Sequence, residues 1–206
     1  MNHLFEVAEF FGIIAFALSG FYAAVREKLD LLGIFIAAFL TALGGGITRD
    51  AIADKMPFTF THLMPTFLVI GVVVAAILLK LNRHDKLEQT TIFILSDTLG
   101  LVSFAIAGTF VGIEVGFNVF GVVMLSLITA VGGSCLRDIV LNKIPFFLIS
   151  DFYATIAIIV SLGMYALNEF EVLNIFSAVI IFIIGTALRL LAYYKKWKLP
   201  TLRSYR

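Results

Sequence analysis

The chain has 206 residues, of which 61% are hydrophobic and only 14% charged, with a formal net charge of +1. Soluble domains carry about 45–50% apolar and about 25% charged residues. At a mean hydropathy of +1.04 the polar surface is too small to cover the apolar side chains in water, which excludes a soluble enzyme, a nucleic-acid binder and a disordered tail. A single cysteine, Cys135, excludes a disulfide framework and a multi-cysteine metal site, and His3, His62 and His84 are too dispersed to form a ligand cluster.

A bilayer core about 30 Å thick needs roughly 20 helical residues. In chain order the uncharged runs are Phe10–Val25, Leu31–Thr48, Met56–Leu79, Thr98–Ile113, Val115–Leu136, Phe152–Asn168 and Val172–Leu188. They lack the polar faces that seven buried helices of a soluble protein would need. The expectation is an all-α integral membrane protein of seven transmembrane helices. The first run has no basic residues before it and is echoed later in the chain, so a retained helix is expected rather than a cleaved signal.

With seven spans, the side bearing the N-terminus holds only Arg49 and Lys55. The other holds Arg26, Lys28, Lys80, Arg83, Lys86, Arg137, Lys143, Arg189, Lys195, Lys196, Lys198, Arg203 and Arg206. Two basic residues against thirteen predict an N-terminus outside and a cytoplasmic C-terminus. Arg189 is expected to snorkel to the cytoplasmic interface. The tail Lys195-Lys196-Trp197-Lys198 is expected to rest on anionic headgroups.

A shift of 88 residues (104 − 16) lays the chain on itself without a gap. Phe16-Ala17-Leu18-Ser19-Gly20 falls on Phe104-Ala105-Ile106-Ala107-Gly108, and Lys55-Met56-Pro57-Phe58 on Lys143-Ile144-Pro145-Phe146. Thr41-Ala42-Leu43-Gly44-Gly45-Gly46-Ile47-Thr48-Arg49-Asp50 falls on Thr129-Ala130-Val131-Gly132-Gly133-Ser134-Cys135-Leu136-Arg137-Asp138. This is an internal duplication. Each copy holds three spans, and an odd unit inverts the second copy. The expected organisation is residues 1–86 as the first three-helix repeat, 87–170 as the inverted second, and 171–206 as a seventh helix with a basic tail. Inverted repeats accompany passage of a solute along the repeat interface.

Gly44, Gly45 and Gly46, like Gly132, Gly133 and Ser134, weaken their helices at roughly 1 kcal/mol per glycine. They point to bends whose exposed carbonyls line a path, against the alternative of close helix packing. Thr41 and Thr129 add hydroxyl ligands or bond back to their own helices. Arg49-Asp50 and Arg137-Asp138 lie at the rims of spans, where charge must pair, snorkel or meet water. Neighbouring helical residues point about 100° apart, so neither Arg is expected to pair with its own Asp. The pairs hold the broken helices in register across the bundle, set the field at the two mouths, or anchor the helices at the interface. Glu9 and Asp97 are equivalent positions that suit a cation pathway or a favourable helix N-terminus. No Walker A, HExxH, serine-triad or redox motif occurs, so no enzyme and no cofactor is expected beyond a permeant K⁺ or Na⁺.

The gap-free duplication with Gly-Gly-Gly/Ser-x-x-Arg-Asp in each copy, plus a seventh helix, resembles the TRIC family of trimeric intracellular cation channels. It is similar to the prokaryotic branch, whose duplicated unit is also labelled a glycine transporter domain. The resemblance covers nearly the whole chain and departs at Ser134, where a third glycine is replaced and a stiffer second bend is expected. It implies a homotrimer in the lipid bilayer, each protomer with a water-filled pore centred on kinked second and fifth helices that passes monovalent cations, chiefly potassium. Two other functions compete: an alternating-access carrier of glycine or another small zwitterion, and a scaffold that transports nothing.

Overall fold

The computed structural model describes residues 2–81, 86–149 and 152–197. Arg83, His84, Lys198, Arg203 and Arg206, invoked above for orientation and composition, lie outside the described residues. The described residues form nine helices and no strand: α1 (Asn2–Arg26), α2 (Leu31–Ile52), α3 (Phe58–Thr61), α4 (Met64–Leu78), α5 (Lys86–Glu114), α6 (Val119–Val140), α7 (Phe146–Ile149), α8 (Tyr153–Glu169) and α9 (Ile175–Tyr194). Within them, α1, α2, α5, α6 and α9 are long and apolar enough to cross a membrane, whereas α4 and α8 are shorter apolar helices.

The helices extend beyond several of the uncharged runs, as α1 and α5 do at their starts, and the third and fifth runs are interrupted by turns. The third, Met56–Leu79, divides into the four-residue α3 and the 15-residue α4. Pro57 precedes α3 and Pro65 stands in the first turn of α4, where a residue without an amide hydrogen starts a helix but cannot continue one. The fifth begins at Val119 rather than Val115. Gly116 turns the chain at φ +80°, and the Asn118 side chain then accepts from the Gly121 amide at 2.9 Å. Asp30 caps α2 in the same way, on Gly33 at 2.8 Å, which satisfies an amide that the helix itself leaves unpaired.

The helices assemble as two hairpins, α1 with α2 and α5 with α6. Within each hairpin a side chain on one glycine would collide with the partner helix: Gly20 with the Ala38 backbone, and Gly108 with the Ser126 backbone. The hairpins then pack through α1 and α5, where Phe16 and Phe104 stack with centroids 5.3 Å apart at 27°. The Phe16 ring fills the space above Gly100, and Phe104 lies against Gly12. Residues 12, 16 and 19 thus face 103–104, 100 and 97, so α1 and α5 run antiparallel. Around this centre, α4 packs on α1 and α2, and α8 on α5 and α6, with α9 against α5 and α8.

Deleting one ring of the stacked pair leaves a cavity at the hairpin interface. Because the unfolded chain in detergent is also in apolar surroundings, packing is the main loss, on the order of 2 kcal/mol. Phe16→Ala and Phe104→Ala are therefore expected to lower the melting temperature similarly, read by differential scanning fluorimetry. Replacement of the exposed Phe176 should leave it unchanged.

Candidate functional site

The Arg-Asp pairs lie inside the protein, and each arginine is bound by its own aspartate. Arg49, with no exposed surface, donates from Nε to Asp50 Oδ1 at 2.8 Å and from Nη2 to Glu9 Oε1 at 3.0 Å. Arg137, 1% exposed, donates from Nε to Asp138 Oδ1 at 2.8 Å. This corrects the expectation that neither arginine pairs with its own aspartate. The 100° between their Cα–Cβ directions is spanned by the long arginine chain, which folds back so that Nε and Nη2 grip one carboxylate oxygen. Burial also removes the interfacial-anchor reading of both arginines.

The second aspartate oxygen holds the next segment of chain. Asp50 Oδ2 accepts from the Phe58 amide at 3.0 Å, and Asp138 Oδ2 from the Phe146 amide at 2.7 Å. Each carboxylate therefore joins a buried guanidinium to the start of a short helix, α3 or α7. Such charge-assisted bonds are about twice as strong as neutral ones. Aromatic faces complete the surroundings: Arg49 lies 4.8 Å from the Phe5 ring centroid and Arg137 lies 5.8 Å from that of Phe93, at equivalent positions of the duplication.

The two clusters differ in how the acid of the first helix reaches its arginine. Glu9 does so directly. Asp97, one methylene shorter, accepts from Ser19 Oγ at 3.0 Å, and Ser19 in turn accepts from Arg137 Nη1 at 3.5 Å. Ser19 and Glu9 are ten residues apart on α1, about 15 Å at helical rise, so the clusters occupy opposite ends of the interior. The position equivalent to Ser19 is Ala107, which offers no oxygen. Among the described residues no hydrogen-bond partner reaches the buried Arg49 Nη1.

Between the clusters α2 crosses α6. A side chain on Gly45 would strike the Thr129 carbonyl, and one on Gly133 the Thr41 carbonyl. These reciprocal contacts put 45 opposite 129 and 133 opposite 41, so these two helices are also antiparallel. Both stay helical through their glycines, and at Gly45 and Gly133 carbonyls of the crossing partner occupy the space that side chains would take. The hydroxyls of Thr41 and Thr129 bond back to Ala37 O and Leu125 O, each at 2.6 Å, and Ser134 to Val131 O at 3.0 Å. Gly44 approaches Leu136, while Gly46 has nothing nearer than Glu9 Oε1 at 3.6 Å and Gly132 nothing nearer than Gly45 Cα at 3.4 Å.

Ion pairs between hairpins close both ends: Lys55 to Glu114 at 2.9 Å, and Lys143 to Glu27. A cavity of about 270 Å³ opens at the Glu9 end, lined by Arg49, Asp50, Lys55, His62 and Glu114 among others. A larger groove of about 540 Å³ between α1, α5 and α9 has only Ser96 and Ser103 as polar lining; it suits apolar chains and not ions. Several participants escaped the sequence reading. Ser19 is a lone hydroxyl in an apolar run. Arg189, expected at the interface, is 1% exposed, with its guanidinium 4.8 Å from the Tyr153 ring and within electrostatic reach of Asp97. Those inward partners replace the water it would have found by snorkelling.

A family model described as glycine transporter matches the chain twice, at residues 6–81 and 94–169, two stretches 88 residues apart (94 − 6). The UPF0126 membrane protein YvgT of Bacillus subtilis is 30% identical over 210 residues, covering 98% of this chain and 97% of its own. The UPF0126 inner membrane protein YadS of Escherichia coli is 32% identical over 152 residues, covering 72% of this chain and 71% of its own. Among solved structures, one that describes conductance through TRIC cation channels superposes with a TM-score of 0.85 at 32% identity, covering 98% of each chain.

The contrast among the glycines is testable. Gly45→Ala and Gly133→Ala force the helices apart, at a cost of about 1–3 kcal/mol. Gly46→Ala and Gly132→Ala meet only ordinary contacts and should melt no lower than the parent, since alanine favours the helix. Ser19→Ala removes the bridge between Asp97 and Arg137, with an expected loss of about 1–3 kcal/mol. Detergent-phase melting curves read all five variants, and equal effects at 45 and 46 would contradict the crossing geometry.

Proposed function

The chain belongs to the glycine transporter (UPF0126) family, is a membrane protein and not an enzyme, and we propose that it is a potassium-permeable channel for monovalent cations. The ions pass within each protomer, between the Glu9–Arg49 and Asp97–Arg137 clusters and along the crossing of α2 and α6. The observation that carries this reading is the pair of buried clusters at opposite ends of that crossing, each with two carboxylates around one guanidinium. Oxygen-rich surroundings at both ends, with net negative charge at the Glu9 end, suit a hard monovalent cation. The likeness to solved TRIC cation channels along 98% of the chain supports the same conclusion.

The architecture of this reading is two inverted three-helix repeats and an added helix. The repeats end near residues 86 and 170, α4 and α8 are the third and sixth of seven spans, and 171–206 is the appendage. The reciprocal contacts of Phe16 with Gly100, Phe104 with Gly12, and Gly45 and Gly133 with the opposite threonine carbonyls support it, since they relate the hairpins by an approximate two-fold axis. An axis of this kind in the membrane plane is typical of transport folds. The uneven spread of Lys and Arg supports an external N-terminus and a cytoplasmic C-terminus in the inner membrane. By analogy with the TRIC channels, the working unit is a homotrimer with one pathway per subunit and no cofactor other than the permeant ion.

In this pathway Gly44, Gly45, Gly46, Gly132, Gly133 and Ser134 keep the walls small. Thr41 and Thr129 contribute carbonyl oxygens, since their hydroxyls are already engaged. Glu9, Asp50, Asp97 and Asp138 set the field for cations, and Arg49 and Arg137 hold those carboxylates in place. The unmatched Nη1 of Arg49 is a point at which water of the pathway bonds to the protein.

Reconstitution into planar bilayers tests the proposal. Unitary currents whose reversal potential follows the potassium gradient are expected, with linear flux as concentration rises. The family name makes glycine the natural competitor. Saturable glycine counterflow in liposomes without unitary currents would replace the channel by a carrier.

A further inference from the structure

The duplicated helices build two clusters of equal formal charge, and α9 makes them unequal. At one end Glu9, Arg49 and Asp50 place one cation against two carboxylates. At the other, Asp97, Arg137 and Asp138 repeat that composition. Arg189 of α9 enters only this second cluster. It is 1% exposed, lies 4.8 Å from the Tyr153 ring centroid and 6.0 Å from that of Phe146, and acts on Asp97. Phe146 is also the residue whose amide binds Asp138, so Arg189 shares its surroundings with both carboxylates.

The ring environment is lopsided in the same sense. Phe93, Phe146 and Tyr153 form a chain of edge-on contacts at 6.1 and 5.5 Å. Three guanidiniums, of Arg26, Arg137 and Arg189, lie over these rings. At the Glu9 end, among the described residues, only Arg49 lies over a ring, that of Phe5. The position equivalent to Tyr153 is Pro65 (153 − 88), so the first copy has no aromatic seat there for a second arginine. The Lys55–Glu114 and Lys143–Glu27 pairs are each neutral, and the exposed Arg26 over Phe93 adds positive charge at the Asp97 end in the same sense as the buried Arg189.

We infer that Arg189 is a charge-setting residue that neutralises the Asp97 end of the cation pathway and so makes conduction rectify, with larger currents when cations enter from the Glu9 end. The inference rests on the cation-channel reading. Its physical basis is local concentration: a mouth of net negative charge enriches cations, and a neutral mouth does not. One charge about a Debye length from the entering ion changes its local concentration about twofold at 0.1 M salt, and much less at 1 M. Arg189 is a positioning and field-setting group and need not touch the ion.

Single-channel currents in symmetric KCl test this, with the insertion side fixed by an impermeant thiol reagent acting on Phe170→Cys in a Cys135→Ser background. Wild-type protein is expected to show a current ratio of about twofold between opposite voltages at 0.1 M, falling toward unity at 1 M. Arg189→Gln should lower the 0.1 M ratio toward unity, with Arg26 still contributing at that end, and Arg189→Lys should restore it, a recovery that a merely structural role would not produce. An unchanged ratio in Arg189→Gln overturns the inference. Should that variant fail to fold, a wild-type ratio that is near unity at 0.1 M, or the same at both salt concentrations, overturns it equally. Symmetric wild-type currents leave the channel reading intact, whereas absence of any unitary current removes that reading and this inference together.

Discussion

A guanidinium cannot enter an apolar bundle alone. Removing an ion from water costs several kcal/mol even after relaxation, and a partner removed from a buried pair leaves a loss of about 3–5 kcal/mol. Arg49 and Arg137 are essentially inaccessible, and much of the fold follows from what they need. Each takes the aspartate beside it, and that aspartate, with one oxygen left, takes the first amide of the next short helix. The acid of the first helix in each hairpin then approaches from the far side, directly in Glu9 and through Ser19 in Asp97. Helices that otherwise meet mainly through apolar faces, with Ser126 on the Ala105 carbonyl and Thr109 on Ser161 as further polar contacts, are thereby fixed in register. Apolar packing alone is a weak specifier where lipid is as apolar as leucine.

The crossing of α2 and α6 is the second consequence. Once the arginines sit near the C-terminal ends of two antiparallel helices, the glycines before them lie where those helices meet. Gly45 and Gly133 each admit a carbonyl of the opposite helix. The same positions keep bulky side chains out of the space between the clusters, so close packing and a narrow polar path are compatible uses of one motif. The threonines illustrate the division of roles: their hydroxyls satisfy the preceding turn, and their carbonyls face the partner helix.

Much of this was legible in the chain itself. The membrane setting followed from composition, the duplication from Phe16–Gly20 and Thr41–Asp50 recurring after 88 residues, and the importance of both Arg-Asp pairs from their recurrence beside the glycines. The family match at two stretches with the same spacing agrees with that duplication. What was not legible depends on side-chain reach and three-dimensional neighbours. Directions of Cα–Cβ bonds argue against Arg49 binding Asp50, yet a long flexible arm with three nitrogens bends back to it. Arg189 looks like a snorkelling residue because a terminal position in an apolar run does not reveal that Asp97 and Tyr153 lie inward of it. Ser19 carries no sequence signal apart from its mismatch with Ala107. Pro57 and Pro65 did mark the division of the third run, but hydropathy is blind to a break made of apolar residues.

The central claim is that cations travel between the two clusters along the α2–α6 crossing and not through the apolar groove beside α9. Thiol blocking tests it most directly. In a Cys135→Ser background, Gly46→Cys and Gly132→Cys place sulfur at the crossing, where space is available, and Leu99→Cys places it in the groove. Silver ions are permeant-sized and thiol-specific, so they should abolish single-channel current in the first two variants and leave the third unaffected. Block at Leu99 with currents at 46 and 132 untouched would contradict the account.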